Sequence, residues 1–179
     1  EVLQLQHKGE VDMLEETYLK IISAKTAELF AAATKVGAIL SDADTKEKNA
    51  LEFYGRNLGL TFQIADDTLD YNSDLKLFGK KVGQDFFEGK ITLPIILLFQ
   101  KINFDENKLL IELFKKDTRN SDDFKKIITI IKKYNIIEEC YQKARHYINL
   151  ASNSLVVFKD SKEKEILKSL TSFSLGRNF

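Results

Sequence analysis

FQIADDTLDY, residues 62–71, is the stretch from which the rest of the chain can be read. On a helix Gln63, Asp66, Asp67 and Asp70 stand at i, i+3, i+4 and i+7, so all four project from one face within two turns. Their neighbours Phe62, Ile64, Ala65 and Leu69 are core residues, and upstream Leu51, Tyr54 and Leu58 continue the helical spacing back to about Thr45. The expected helix is long, running to about Tyr71. Asp forms helices poorly, and like charges one turn apart repel by a few tenths of a kcal/mol when exposed, about 0.2–0.5 per pair, and by more when buried. A hard divalent cation would relieve that repulsion. Mg²⁺ takes a few carboxylates together with water and phosphate oxygens, so an open row of aspartates suits a Mg²⁺–diphosphate site better than a closed cage. A solvated acidic face is the competing reading. An EF-hand is excluded twice, because Leu75 stands where Gly is required and Lys81 where the bidentate Glu belongs.

Outward from this helix the chain reads as all-α. It has 179 residues, 44% hydrophobic and 30% charged, with one Pro and eight Gly, so one helical domain over 1–179 with short loops is expected. A run with apolar residues at helical spacing (Leu14, Tyr18, Ile21, Ile22, Leu29, Phe30) extends from Leu14 to Leu40, after an apparent capping box at Asp12 and Glu15. Thr92 and Pro94 open a short apolar helix, and further helices are expected at about 106–116, 121–133, 135–158 and 161–174. KKIITIIKKY is ambiguous because Ile and Thr also favour strands. Twenty-seven basic and 27 acidic residues cancel, which gives no global field for nucleic acid. The longest apolar run, Leu93 to Phe99, is seven residues, against the roughly 20 a spanning helix needs, so an integral membrane protein is not expected. The single Cys140 can form no internal disulfide, which fits a reducing, cytoplasmic setting. There is no initiator Met, and a chain beginning partway through a gene product is expected.

Two further segments could carry chemistry. The stretch from Asn72 to Lys90 reads as a structured loop, and GKKVGQDFFEGKITLP, residues 79–94, gathers Lys80, Lys81 and Lys90 with three Gly close after the carboxylates. Glycines let backbone approach a phosphate and ammonium groups neutralise it, although Lys/Gly-rich surface loops are common. It is no Walker A loop: the spacing from Gly83 to Gly89 is one residue too long and Ile91 replaces Ser or Thr. In SAKTAELFAAA, residues 23–33, Lys25 and Thr26 sit mid-helix among small residues. Either Thr26 bonds back to its own turn, or the alanines admit a close helix while Lys25 and Thr26 face an anion.

Taken together, GEVDMLEETYLKIISAKTAELFAAA (9–33), YGRNLGLTFQIADDTLDY (54–71) and GKKVGQDFFEGKITLPIILL (79–98) resemble the C-terminal half of trans-polyprenyl diphosphate synthases of the bacterial octaprenyl, solanesyl and decaprenyl type. The resemblance is dense to about residue 100, and DDTLD matches the family's second aspartate-rich motif. It implies the all-helical isoprenoid (terpenoid) synthase fold, here as the C-terminal half of the bundle. It further implies Mg²⁺ held by Asp66, Asp67 and Asp70, allylic diphosphate contacted by Lys25, Thr26, Gln63 and Lys80 with Lys90 as a further contributor, and catalytic parts for Asp66, Asp67, Lys25 and Lys80. The implied reaction is condensation of isopentenyl diphosphate with an allylic prenyl diphosphate to give a long trans-polyprenyl diphosphate, the precursor of a quinone side chain. The family's first aspartate-rich motif lies in its N-terminal half and has no counterpart among these residues, so a partial synthase domain, inactive alone, is expected. It would work as a homodimer or with a complementing N-terminal half. The alternative is a non-catalytic helical subunit that completes or regulates another prenyl synthase.

Overall fold

A computed structural model describes residues 2, 4, 9–72 and 82–175. Among them every regular element is helical. Helix α1 (Glu15–Ile22) passes through a π-helical turn (Ser23–Ala27) into α2 (Glu28–Leu40). There follow α3 (Thr45–Leu69), α4 (Gln84–Glu88), α5 (Leu93–Phe99), α6 (Phe104–Lys115), α7 (Ser121–Lys133), α8 (Ile136–Ser154) with a closing 3₁₀ turn (Leu155–Val157), and α9 (Lys162–Leu175). No described helix is long and apolar enough to cross a membrane.

Side-chain caps set several helix starts. Asp44 Oδ1 accepts from the Glu47 N–H at 2.8 Å while the Glu47 carboxylate accepts from the Asp44 N–H at 3.0 Å, which opens α3. The same reciprocal box opens α6 at Asn103 and Glu106, and α7 at Asn120 and Asp123. KKIITIIKKY is therefore helical: its cap fixes the first turn, and Ile127, Ile130 and Ile131 bury one face while lysines line the other. Two expectations shift. Helix α1 begins at Glu15 itself rather than just after Asp12, with the Leu14 carbonyl accepting from the Tyr18 N–H. Within residues 72–90, read from sequence as loop, lies α4, bounded by Gly83 at φ 88° and Gly89 at φ 75°. One turn is too short to show periodicity, but a left-handed Gly at each end is what stops it.

The described residues form two compact units that interleave along the sequence. The unit made chiefly of Asp66–Tyr141, with the described residues before Ile22, has α5 at its heart: Leu93, Pro94, Ile95, Ile96, Leu97 and Leu98 are all buried, as befits a helix apolar on every face. Around Phe86 of α4 stand the rings of Phe87, Phe114 and Phe124, with centroids 5.6–5.7 Å from it. Arg119 stacks on Phe86 and Phe114 and donates to the carbonyls of Leu113 and Phe114, so a loop guanidinium closes the end of α6.

The other unit, Ile22–Ala65 with the described residues from Gln142 onward, packs Tyr54, Leu58, Ala151 and Leu155 together, flanked by Phe30, Leu51, Phe158 and Leu167. Within it α2 and the π-turn approach α3 very closely. A Cβ on Gly59 would lie 2.6 Å from Ala27 Cα, and one on Gly55 would lie 2.4 Å from the Phe30 carbonyl oxygen. Thr34 Oγ1 uses that proximity to donate to the Leu51 carbonyl at 2.6 Å. The small residues of SAKTAELFAAA thus do admit a close helix. Ala in place of either Gly gains up to about 1 kcal/mol of helix propensity but meets fixed backbone, an overpacking cost of about 1–3 kcal/mol. We expect Gly59→Ala and Gly55→Ala each to lower the melting temperature by about 2–6 °C, measured by circular dichroism, and to leave the helical spectrum unchanged.

Candidate active site

Helix α3 delivers the carboxylate stripe. Asp67 and Asp70 are each 5% exposed and Gln63 8%, while Asp66 is half-buried. Burying two carboxylates of like charge requires donors, and the structure supplies them. The Tyr18 hydroxyl on α1 donates to Asp67 Oδ2 at 2.7 Å. Burial, with the Asp67 charge and the hydrogen bond adding to it, pushes the Tyr18 hydroxyl well above the usual phenol range, so it remains a donor.

Asp70 lies just past the end of α3, and both of its oxygens are engaged. Oδ1 accepts from the Gln84 N–H at 3.2 Å and Oδ2 from the Asp85 N–H at 2.8 Å, and its own carbonyl accepts from the Gly83 N–H at 2.9 Å. Asp70 therefore holds the start of α4 against the end of α3. At the other end of α4, Lys90 reaches Glu88 at 2.7 Å and Asp85 at 3.4 Å. Burial tends to lower the Lys90 pKa, but the pairing with Glu88 and Asp85 outweighs it and raises it.

In the second unit Thr26 Oγ1 donates to Gln63 Oε1 at 2.8 Å. Of the two readings of Thr26 open in the sequence, a bond to its own turn is replaced by one to the neighbouring helix. Both Lys25 and Thr26 lie on the π-turn, where the Glu28 N–H reaches back five residues to the Ser23 carbonyl. Such turns recur at functional sites because they re-aim side chains without breaking the helix. Lys25 is half-buried. Lys80 and Lys81 lie outside the described residues. Among the described residues, no three His, Cys, Asp or Glu side chains converge as a ready metal cage. The stripe offers only carboxylate oxygens, the donor type that a hard cation such as Mg²⁺ takes, and it fits an ion whose remaining ligands come from elsewhere.

Residues 1–131 match the family model for polyprenyl synthetase. The chain belongs to that family. It is 36% identical over 180 residues to a short chain isoprenyl diphosphate synthase of Methanothermobacter thermautotrophicus, a match that takes in 99% of this chain and 54% of the relative. Over 96 residues, 54% of this chain and 30% of the relative, it is 48% identical to the octaprenyl diphosphate synthase of Escherichia coli. Among solved structures, the polyprenyl synthase of Caulobacter crescentus, crystallised with calcium and isoprenyl diphosphate, superposes with a TM-score of 0.93 at 35% identity, covering 99% of this chain and 54% of that one. The all-helical fold is thus that of the polyprenyl synthases, and this chain spans about half the length of the relatives it matches.

Sequence reasoning missed Tyr18, the anchoring role of Asp70 and the ion pairs of Lys90. A Tyr at i−4 of an inward Ile on an apolar stripe reads as core, and nothing local reveals that its hydroxyl meets a carboxylate 49 positions on. The Asp70 anchor can be checked directly. Asp70→Ala removes the acceptor for two α4 amides, a cap loss of about 1 kcal/mol. We expect hydrogen exchange at Gln84 and Asp85 to quicken by about fivefold, while amides in the middle of α3 keep their protection.

Proposed function

We propose that this chain supplies the second aspartate-rich wall of a prenyltransferase that condenses isopentenyl diphosphate with an allylic prenyl diphosphate to make a long trans-polyprenyl diphosphate for a quinone side chain. The observation that carries the reading is the stripe itself: two carboxylates buried at the end of one helix, in a member of the polyprenyl synthetase family. Asp66 and Asp67, with Asp70 beside them, would hold Mg²⁺. When bound, that ion supplies charge neutralisation for a departing diphosphate.

The chain's own residues do the remaining work in this reading. Lys25 and Lys80 provide positive charge for the diphosphate, and Thr26 and Gln63, already bonded to each other, provide polar contacts to it. Lys90 serves by bracing α4 through Glu88 and Asp85 and secondarily as a further cation. Cys140, buried and in no disulfide, accords with a reducing cytoplasmic setting.

The rest of the relatives' length is part of the proposal. The α2 residues Leu29, Val36 and Leu40 are 75%, 50% and 81% exposed and share one face at i, i+7 and i+11, an apolar stripe that a complementing half or a second subunit would cover. Two outcomes test the reading. In the full-length protein, Asp66→Ala and Asp67→Ala should each lower turnover by about 100-fold or more with the helical circular dichroism intact, since each removes charge at the metal. Wild-type turnover in both would overturn it. The 179 residues expressed alone, assayed with isopentenyl and farnesyl diphosphates and Mg²⁺, should show no elongation and should self-associate on size exclusion. Robust elongation by a monomer would remove the need for a second half.

A further inference from the structure

We propose that Tyr18 is a positioning residue: its hydroxyl orients the Asp67 carboxylate for a divalent cation, and tight metal binding requires it. The inference rests on the reading of the stripe as a metal–diphosphate site and goes beyond it by assigning a residue outside the aspartate-rich motif. The Asp χ2 torsion is broad, so the backbone of α3 fixes where Asp67 begins but not the plane of its two oxygens. A ligand must be held within about 0.5 Å of its working position to favour one coordination geometry, and a second-sphere hydrogen bond is the usual means. Here that bond is short, at 2.7 Å, and both partners are sequestered, Tyr18 at 2% and Asp67 at 5% exposure. The ring that carries the hydroxyl is itself a core side chain, buried with Ile21 and Ile22 of the same helix, and close-packed interiors hold such rings in place. A hydroxyl so placed cannot follow the carboxylate if it rotates; the carboxylate must conform to the hydroxyl.

A purely structural role predicts something different. It makes Tyr18 one more satisfied buried phenol, equivalent to Tyr54, which is 1% exposed and donates to the Leu167 carbonyl at 2.7 Å. The two tyrosines therefore form a comparison pair, each a buried residue that loses one hydrogen bond when changed to Phe, and Phe keeps the ring that packs. The test is titration of the intact protein with Mn²⁺ in the presence of inorganic diphosphate, read by electron paramagnetic resonance of the bound ion. Tyr18→Phe should weaken Mn²⁺ by about tenfold or more and alter the bound-ion spectrum, whereas Tyr54→Phe should bind as wild type. In an Asp67→Asn background, Tyr18→Phe should add no further loss, because its effect passes through Asp67. Wild-type affinity in Tyr18→Phe, an equal loss in Tyr54→Phe, or full additivity with Asp67→Asn would each overturn the proposal. Should Asp66→Asn and Asp67→Asn both leave Mn²⁺ affinity intact, the metal reading itself falls and the Tyr18 proposal falls with it, an outcome distinct from the other three.

Discussion

Putting carboxylates at the end of a long helix and then burying them is the constraint around which the rest of the site is arranged. Three penalties coincide at the C-terminus of α3. Asp67 and Asp70 are desolvated, they sit within a turn of each other with the same charge, and the helix dipole places partial negative charge at the same end. None of these is large for an exposed side chain, but all grow as the local dielectric falls. The responses are specific. Tyr18 lends a proton-bearing hydroxyl to Asp67, and α4 turns its N-terminal amides, the positive end of its own dipole, toward Asp70. A segment as short as α4 has little stability of its own, so the carboxylate that needs amides and the turn that needs a cap stabilise each other.

This arrangement explains which parts of the fold can be read from sequence. The long helices carry their evidence locally: periodic apolar residues, Asn or Asp at the start, and Gly or Asn in the left-handed region at several connections, such as Asn135 at φ 53° between α7 and α8. Their bounds are therefore legible to within a few residues. The carboxylate stripe is legible for the same reason, since i, i+3, i+4 and i+7 is a property of one helix. Tyr18 and Asp67 are not, because their contact depends on which helices become neighbours. Nor is the pairing of Lys90, whose sequence context suggests a free phosphate-binding cation, whereas Glu88 and Asp85 draw it into their own turn.

The π-turn is the least legible element and alters the most. Read with a constant period, the run from Leu14 to Leu40 places Leu29 in the core beside Tyr18, Ile21 and Ile22. Leu29 is instead 75% exposed, and Leu14 is 68% exposed. The buried positions run Tyr18, Ile21, Ile22, Ala27, Ala31 and Ala38, so the step across SAKTA is five residues rather than three or four. That single extra residue rotates everything after it by about 100° relative to a continuous helix.

The consequence is chemical as well as geometric. The rotation brings Ala27 rather than a larger side chain to the face where Gly59 lacks a Cβ, so the two backbones meet at a distance that a side chain at position 59 would not tolerate. Thr26, one residue earlier, is thereby carried to Gln63 and gives its hydroxyl to the amide rather than to its own helix. An α-helical turn through the same residues would bury a different side chain against Gly59 and break that register. The wider turn, the alanines and the paired glycines of α3 are thus one device: the π-turn sets the phase, the small residues permit the approach, and the approach fixes Gln63 one turn before the buried Asp67 on the same helix.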